Sequence, residues 1–335
     1  MTASYVDFNE MRHRDGAKAK SNGHDPDGSP PDNLRSGFST IALEAFMSQQ
    51  LVAREMVVDP IISVRSLCLL FSYRGIGKTM VAMNIAWAVA CGKRFLRWSS
   101  PKPRRVLYVD GEMPQQLLQE RARTMIGSSD VRPPTPDYFR LLSLDRQELG
   151  VSLNLARREH QVIVEELLED VEFVVFDNIS TLVNGGPEND AASWDEMQQW
   201  LLQLRRRGIT VLLIHHSGRG ENARGTSKRE DVLDTVIKLI RPDDYEMDEG
   251  ARFEVHLTKA RGITGDDALP FEARLTVLEG RDIWAFETLR DRVLDEIEQL
   301  TRERKSVREI AEETGIPKSK VNRLQAKLRA EGRIQ

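Results

Sequence analysis

The sequence has little cysteine and no long hydrophobic run. Its two cysteines, Cys68 and Cys91, have no second pair with which to form a metal site, and we expect both to stay reduced. No apolar stretch approaches the roughly 18 residues that a membrane span requires, and segment 1–36 lacks the apolar stretch of a signal peptide. These absences predict a cytoplasmic protein without a membrane partner.

The sequence also lacks a large excess of charge of either sign. A formal net charge of −4 gives no overall attraction to nucleic acid, so that binding of DNA requires a local basic surface. Hydrophobic residues make up 40% of the chain and charged residues 30%, which is typical of a globular protein with a polar surface. The length of 335 residues allows one large domain and a small second one.

The pattern along the chain divides it into three parts. Residues 1–36 are polar, rich in Asp, Gly, Ser and Pro, and lack periodicity, which predicts a disordered tail. Residues 37–287 begin with a helical pattern at 38–50 and then alternate apolar strands with helices, which predicts an α/β, doubly wound parallel sheet. Residues 288–335 change to charged helices and are predicted to form a small all-α domain.

Within the central part, short apolar runs mark the strands and periodic segments mark the helices. Four strand-like segments at short spacings near its end predict a meander that extends the sheet. The predicted sheet strands are 67–71, 106–109, 173–176 and 209–214, the meander strands are 236–240, 253–257, 273–278 and 283–286, and the helices are 78–92, 114–126, 157–170 and 191–206.

The segment 72–79, SYRGIGKT, lies between the first strand and a helix. A glycine turn at a helix N-terminus directs backbone N–H groups at phosphates, while a lysine adds charge and a hydroxyl ligates Mg²⁺. The segment therefore predicts a phosphate loop (P-loop) for ATP and Mg²⁺, with Lys78 on the β and γ phosphates and Thr79 on the metal. The predicted nucleotide-binding residues are Ser72, Arg74, Gly75, Ile76, Gly77, Lys78, Thr79 and Met80.

One position departs from the pattern G-x-x-x-x-G-K-[ST], because Ser72 stands where its first glycine is expected. The alternative interpretation is a lysine and a threonine that open an ordinary helix after a glycine turn. The order of apolar strand, loop and helix favours the phosphate loop.

Two strand ends carry carboxylates that suit nucleotide hydrolysis. Asp177 ends an apolar strand and is predicted to hold Mg²⁺. Asn178 and not a glutamate follows it, and a second carboxylate, Glu112, stands at the end of the strand that begins at residue 106. Glu112 is predicted to orient the attacking water and accept its proton. Asp110 is a rival for that task, and the alternative for Glu112 is a carboxylate that caps the following helix.

The segments 72–79, 108–112, 177–178, 214–218 and 223–227 come in an order that resembles RecA-fold ATPases related to the hexameric plasmid helicase RepA, within the AAA ATPase superfamily. The resemblance covers about residues 55–265. It implies a RecA-like P-loop fold and a homo-oligomeric ring of the hexameric type, with single-stranded DNA in its channel. Each nucleotide site would lie between two subunits and receive a positive residue from the neighbour.

The resemblance also implies roles for residues outside the phosphate loop. His216 occupies the sensor position that links the γ-phosphate to a DNA-facing loop, and the alternative is a histidine with ordinary hydrogen bonds at the sheet edge. Arg224 lies in the glycine-rich basic loop 218–229 and would contact nucleotide or neighbour. Lys259 and Arg261 resemble a pair that is inserted into the next subunit's site, the alternative being two solvated charges at a strand end.

The C-terminal part resembles a helix-turn-helix, with or without a wing. A capping box at Ser306 to Glu309 opens a short helix, Gly315 stands in the turn, and Pro317 begins a second helix. From residue 316 to 335 there are six Lys or Arg and one acid, Glu331. This local basic surface predicts DNA contact, and the alternative is a helical domain for protein contacts. The candidate DNA-binding residues are Lys318, Ser319, Lys320, Asn322 and Arg323.

Two functions are consistent with these features. The first is a DNA-dependent ATPase of helicase type that serves replication or maintenance of a plasmid or another mobile element. The alternative is a regulator whose ATP occupancy switches its DNA binding, without motor activity.

Overall fold

The computed structural model describes residues 39–51, 53–183, 191–217 and 231–334. The predicted tail at 1–36 and Arg224 with its loop 218–229 lie outside the described residues. The chain divides into two units, residues 1–53 and 54–335. The described part of the first unit contains helix α1, Leu43–Met47, none of whose residues is buried. This helix is shorter than the predicted 38–50, because no apolar face is packed to extend it.

The second unit is organised around a mixed sheet. Within the described residues, nine strands form it in the order β13-β12-β11-β10-β3-β9-β8-β6-β7. Strands β10, β3, β9, β8, β6 and β7 are parallel, and β11, β12 and β13 follow as an antiparallel meander. The bounds are β3 Leu67–Ser72, β6 Val106–Asp110, β7 Phe139–Ser143, β8 Phe173–Asp177, β9 Thr210–His216, β10 Thr235–Ile240, β11 Arg252–Ala260, β12 Phe271–Leu278 and β13 Arg281–Thr288.

Helices cover both faces of the sheet, as the predicted doubly wound fold requires. Helices α2 and α3 pack on one face and α4, α5 and α6 on the other, each face with its own buried apolar cluster. Residues 67–71 of strand β3 are all apolar because the strand is buried on both faces. Cys68 and Leu70 belong to the first cluster, and Leu69 and Phe71 belong to the second. The helices are α2 Lys78–Cys91, α3 Gln115–Gly127, α4 Arg158–Leu167, α5 Ile179–Leu182 and α6 Ala191–Arg206.

The sequence patterns missed the short and the edge strands. Two small hairpins, β1 Met56–Val58 with β2 Ile62–Ser63 and β4 Arg94–Phe95 with β5 Trp98–Ser99, are too short to show a period. Strand β7 lies at the sheet edge and buries only Ser143 fully. The predicted helix 157–170 ends early, at Leu167, and Asp170 takes a positive φ of 61°.

Three helices form the C-terminal end around a small core of their own. They are α7 Leu289–Arg302, α8 Val307–Thr314 and α9 Lys318–Ala330. The capping box joins Ser306 and Glu309, and Gly315 ends α8 with a left-handed φ of 68°. Their buried apolar residues are Leu294, Ile297, Leu300, Ile310, Val321 and Leu328.

The change from strand to helix at Thr288 and Leu289 coincides with the predicted domain boundary. Residues 54–335 nevertheless form one compact unit, and the division into two domains stays a prediction. Among the described residues, no helix has the length and apolar character needed to cross a bilayer.

Candidate functional site

The carboxyl ends of the parallel strands meet at one edge of the sheet and surround a cleft of about 550 Å³. Strand β3 leads into the loop at its floor, while β6, β8 and β9 end in the residues of its wall. Such an edge is the usual ligand site of a parallel α/β sheet. The predicted residues in the lining are Gly75, Ile76, Gly77, Lys78, Thr79, Met80, Glu112, Asp177 and His216.

The loop before α2 has the backbone that a phosphate loop needs. Gly75 and Gly77 have φ values of 78° and 119°, a region that favours glycine. A Cβ on Gly77 would also lie 3.4 Å from the Phe253 ring. Ser72 is buried in β3 and is not one of the positive-φ residues of the chain. The backbone at Ser72 therefore does not require the glycine that the general pattern has there.

Lys78 is buried at the start of α2 and points back across the loop. Its Nζ donates to the carbonyl oxygens of Ser72 and Tyr73, both at 3.0 Å, and lies 3.2 Å from Ser72 Oγ. Burial lowers the pKa of Lys78 to about 8, although the charges of Asp177 and Glu112 oppose that shift. Arg74 is exposed, and its charge adds to the lowering of the Lys78 pKa.

Thr79 and Asp177 form a pair of oxygen donors at the floor of the cleft. The Thr79 hydroxyl hydrogen-bonds the Asp177 carboxylate, and Tyr108 Oη donates to Asp177 Oδ2 at 2.6 Å. Burial raises the pKa of Asp177, and the two hydrogen bonds oppose this. Such a buried oxygen pair suits Mg²⁺, which takes one or two protein ligands besides phosphates and water. Among the described residues, no group of three His, Cys, Asp or Glu offers a complete metal site.

Glu112 lies in a cluster of polar side chains from three strand ends. Asn178 Nδ2 donates to Glu112 Oε2 and lies 3.1 Å from His216 Nε2. His216 Nε2 in turn lies 3.3 Å from Glu112 Oε2. Neither Asn178 nor Tyr108 was predicted as a site residue from the sequence. The only signal for either is a polar atom in or directly after an otherwise apolar strand.

Asp110, the alternative to Glu112 as the catalytic base, accepts hydrogen bonds from the backbone. Its Oδ1 accepts from Met113 N at 2.9 Å and Glu112 N at 3.4 Å. The side chain is buried, and burial raises the pKa of Asp110 to about 6. Asp110 thus holds the turn that presents Glu112, whose side chain is 55% exposed. The choice between the two carboxylates in hydrolysis stays a prediction.

Lys259 and Arg261 lie at the opposite edge of the sheet. Strand β11 runs antiparallel to β10, so that its end pairs near Thr235, which is itself opposite Cys68 at the start of β3. Lys259 Nζ and Arg261 Nη2 donate to the carbonyl oxygen of Asp231 at 3.3 and 3.1 Å. These side chains are not brought together with Lys78, and their role towards a neighbour stays a prediction.

A family model described as "AAA domain" matches residues 34–222, more than half of the chain. The chain belongs to the AAA-domain family. The matched segment of this AAA-domain protein includes Lys78, Glu112, Asp177 and His216 and ends before β10. A phosphate loop of this geometry on a parallel-rich sheet fits a RecA-like P-loop ATPase, a class that binds ATP with Mg²⁺.

One solved structure similar to this AAA-domain protein is a KaiC-like protein from the hyperthermophilic archaeon Pyrococcus horikoshii OT3. Its TM-score is 0.46 and its sequence identity 13%, over 70% of this chain and 100% of that one. No curated protein matches the chain.

The contacts of Asn178 allow a first test of the candidate site in this AAA-domain protein. We expect Asn178→Ala to lower ATP turnover about tenfold or more, because Glu112 loses the donor that orients it. Affinity for ATP should stay within about threefold, since Asn178 is absent from the cleft lining. Steady-state kinetics and nucleotide titration measure the two effects. Normal turnover in a stably folded variant would contradict the positioning role.

Proposed function

We propose that this chain hydrolyses ATP with Mg²⁺ and is a DNA-dependent ATPase of helicase type. It would act as a homo-oligomeric ring, in hexameric form, in replication or maintenance of a plasmid or another mobile element. The observation that supports hydrolysis is the meeting of Lys78, the pair Thr79 and Asp177, and an exposed Glu112 carboxylate in one cleft.

The side chains of the cleft fit the reaction of ATP with water to ADP and phosphate. Glu112 accepts the proton of the attacking water, while Asn178 keeps the carboxylate in place. Lys78 gives up its bonds to loop carbonyls and places its ammonium on the phosphate oxygens. A Mg²⁺ ion held by Thr79 and Asp177 would neutralise charge on the phosphates. His216 lies within reach of Glu112 and Asn178, so that it responds to the occupied site.

The proposal of a ring is supported by the positions of Lys259 and Arg261. Lys259 and Arg261 lie at the edge opposite to the cleft, so that a role for them in hydrolysis would be at the site of another subunit. An arginine supplied in this way stabilises the charge that develops on the transferred phosphoryl group. Arg224 and its loop are assigned to the same interface or to the channel by resemblance alone.

The C-terminal helices are proposed as a helix-turn-helix that binds duplex DNA. Support comes from helix α9, where all five candidate side chains are exposed while Val321 and Leu328 on its other face are buried. A helix with one buried face and one exposed basic face is the form in which recognition helices enter the major groove. The candidates are Lys318, Ser319, Lys320, Asn322 and Arg323.

The double variant Lys318→Ala with Arg323→Ala tests this surface. We expect duplex affinity at about 0.1 M salt to fall about tenfold, and the slope of log affinity against log salt to decrease by about two, as two phosphate contacts are lost. The matched control is Arg302→Ala with Arg308→Ala, which removes the same charge from exposed positions on α7 and α8. Equal losses of duplex affinity in the two double variants would contradict a specific role of α9 in DNA binding.

The helicase-type motor proposed here and the alternative, a regulator whose ATP occupancy switches its DNA binding, differ in how DNA affects ATP turnover. Steady-state ATP hydrolysis should be measured without DNA, with single-stranded DNA and with duplex DNA. The Lys78→Ala variant gives the background rate. Stimulation by single strands, together with unwinding, supports the motor. Tight duplex binding without stimulated turnover supports the ATP-switched regulator and contradicts the motor.

A further inference from the structure

The connection between β10 and β11, residues 241–251, touches the phosphate loop and the cleft. Arg241 Nη2 donates to the carbonyl oxygen of Gly75 at 3.2 Å. The Arg241 guanidinium lies 4.3 Å from the centroid of the Tyr245 ring, and Tyr245 Oη donates to Gly250 O at 2.9 Å. Gly250 lines the cleft. Both ends of the connection therefore contact or line the candidate nucleotide site.

The middle of the same connection is fixed by a buried charge. Arg252 Nη2 donates to both carboxylate oxygens of Asp244 at 3.0 Å, and Arg252 Nη1 lies 2.9 Å from Glu249. Arg252 Nε donates to Glu272 Oε1 on β12 at 2.7 Å. The Arg252 side chain is only 8% exposed, so that these carboxylates balance a charge that is largely shielded from water.

Helix α7 shares two of those carboxylates. Arg292 Nη1 donates to Glu272 Oε2 at 2.6 Å, and Arg292 Nη2 donates to Asp244 Oδ2 at 3.2 Å. Asp244 and Glu272 thus each bind one arginine of the sheet and one of α7. Arg292 does not line the cleft, but the connection at 241–251 links Arg292 to the cleft.

We propose that the connection at 241–251 couples nucleotide occupancy to the C-terminal helices, with Arg241 at the phosphate loop and Arg292 at α7 as positioning residues. The proposal rests on ATP binding at the cleft. A nucleotide that occupies the loop changes the contact between Arg241 and Gly75, and the change reaches Arg292 through Asp244. Because the coupling acts in both directions, a substitution that removes the Arg292 contacts is expected to change the affinity for nucleotide.

The first test is the affinity of the full chain for ATPγS with Mg²⁺. In Arg292→Ala the connection loses one of its two arginine contacts at Asp244, so that the nucleotide must order a looser segment. We expect the Kd to rise about fivefold or more, the lower end of typical coupling. Arg292→Lys keeps the charge and should recover part of the affinity. The control is Arg290→Ala on the same helix, whose partner Asp266 lies at 3.5 Å and is 87% exposed.

The second test is amide hydrogen exchange of residues 289–330 with and without ATPγS and Mg²⁺. The nucleotide should change exchange there in the unaltered chain, and Arg241→Ala should reduce that change at least about twofold. A Kd of Arg292→Ala within twofold of the Arg290→Ala value would overturn the coupling. Exchange unaffected by nucleotide would do the same.

The outcome separates this proposal from the function itself. An unaltered chain that fails to bind ATPγS overturns both. A chain that binds ATPγS normally, and keeps that affinity in Arg292→Ala, overturns the coupling alone. Thermal melting of each variant shows whether a loss of affinity comes from unfolding.

Discussion

Lys78→Ala is expected to lower steady-state ATP hydrolysis about 100-fold to 1000-fold, the range seen when one preorganised charge or donor is removed from an enclosed site. The Lys78 ammonium is buried at the N-terminus of α2, and in this structure two loop carbonyls hold it. No other side chain of the phosphate loop can replace it, since Arg74 is exposed and does not line the cleft. Hydrolysis by the purified variant, with saturating ATP and Mg²⁺, measures the effect.

The matched control for this prediction is Lys93→Ala. Lys93 follows the C-terminal end of the same helix, roughly 20 Å from Lys78 at 1.5 Å per residue. It is also partly buried, its Nζ lies 2.6 Å from Ser129 Oγ, and burial lowers its pKa. Turnover in Lys93→Ala should equal that of the unaltered chain. Normal turnover in Lys78→Ala would contradict the assignment of the site.

Glu112→Gln is expected to bind ATP with nearly unchanged affinity and to hydrolyse it about 10²-fold to 10⁴-fold more slowly, the usual contribution of a general base. The glutamine has the shape of the glutamate, and its amide oxygen can still accept the hydrogen bond from Asn178. It has no basic site for the proton of the attacking water. Single-turnover hydrolysis and ATP titration separate the chemical step from binding.

Glu166→Gln provides the matched control, because Glu166 is an exposed glutamate on α4, away from the cleft lining. Its turnover should not change. If Glu112→Gln retains full turnover, the base is Asp110 or a residue elsewhere. Asp110→Asn would then be the variant to measure, with its stability followed, because the Asp110 carboxylate also accepts two backbone N–H groups.

Much of the fold could be predicted because the parallel strands are buried on both faces. Runs such as 67–71 and 173–176 are apolar throughout, and the observed strands Leu67–Ser72 and Phe173–Asp177 each extend one residue further. Helix α6 was predicted at its observed bounds, Ala191–Arg206. Edge strand β7 and the two small hairpins were missed because few of their side chains are buried or because they are too short to show a period.

The sequence by itself determined the phosphate loop and the carboxylates at the strand ends, because a glycine turn between strand and helix acts through local backbone geometry. Only the tertiary structure decided which side chains meet there. Asn178 joins Glu112 to His216, and Arg241 reaches Gly75 from residues far along the chain. Such contacts depend on strand order and on the direction of each side chain, which no local pattern specifies.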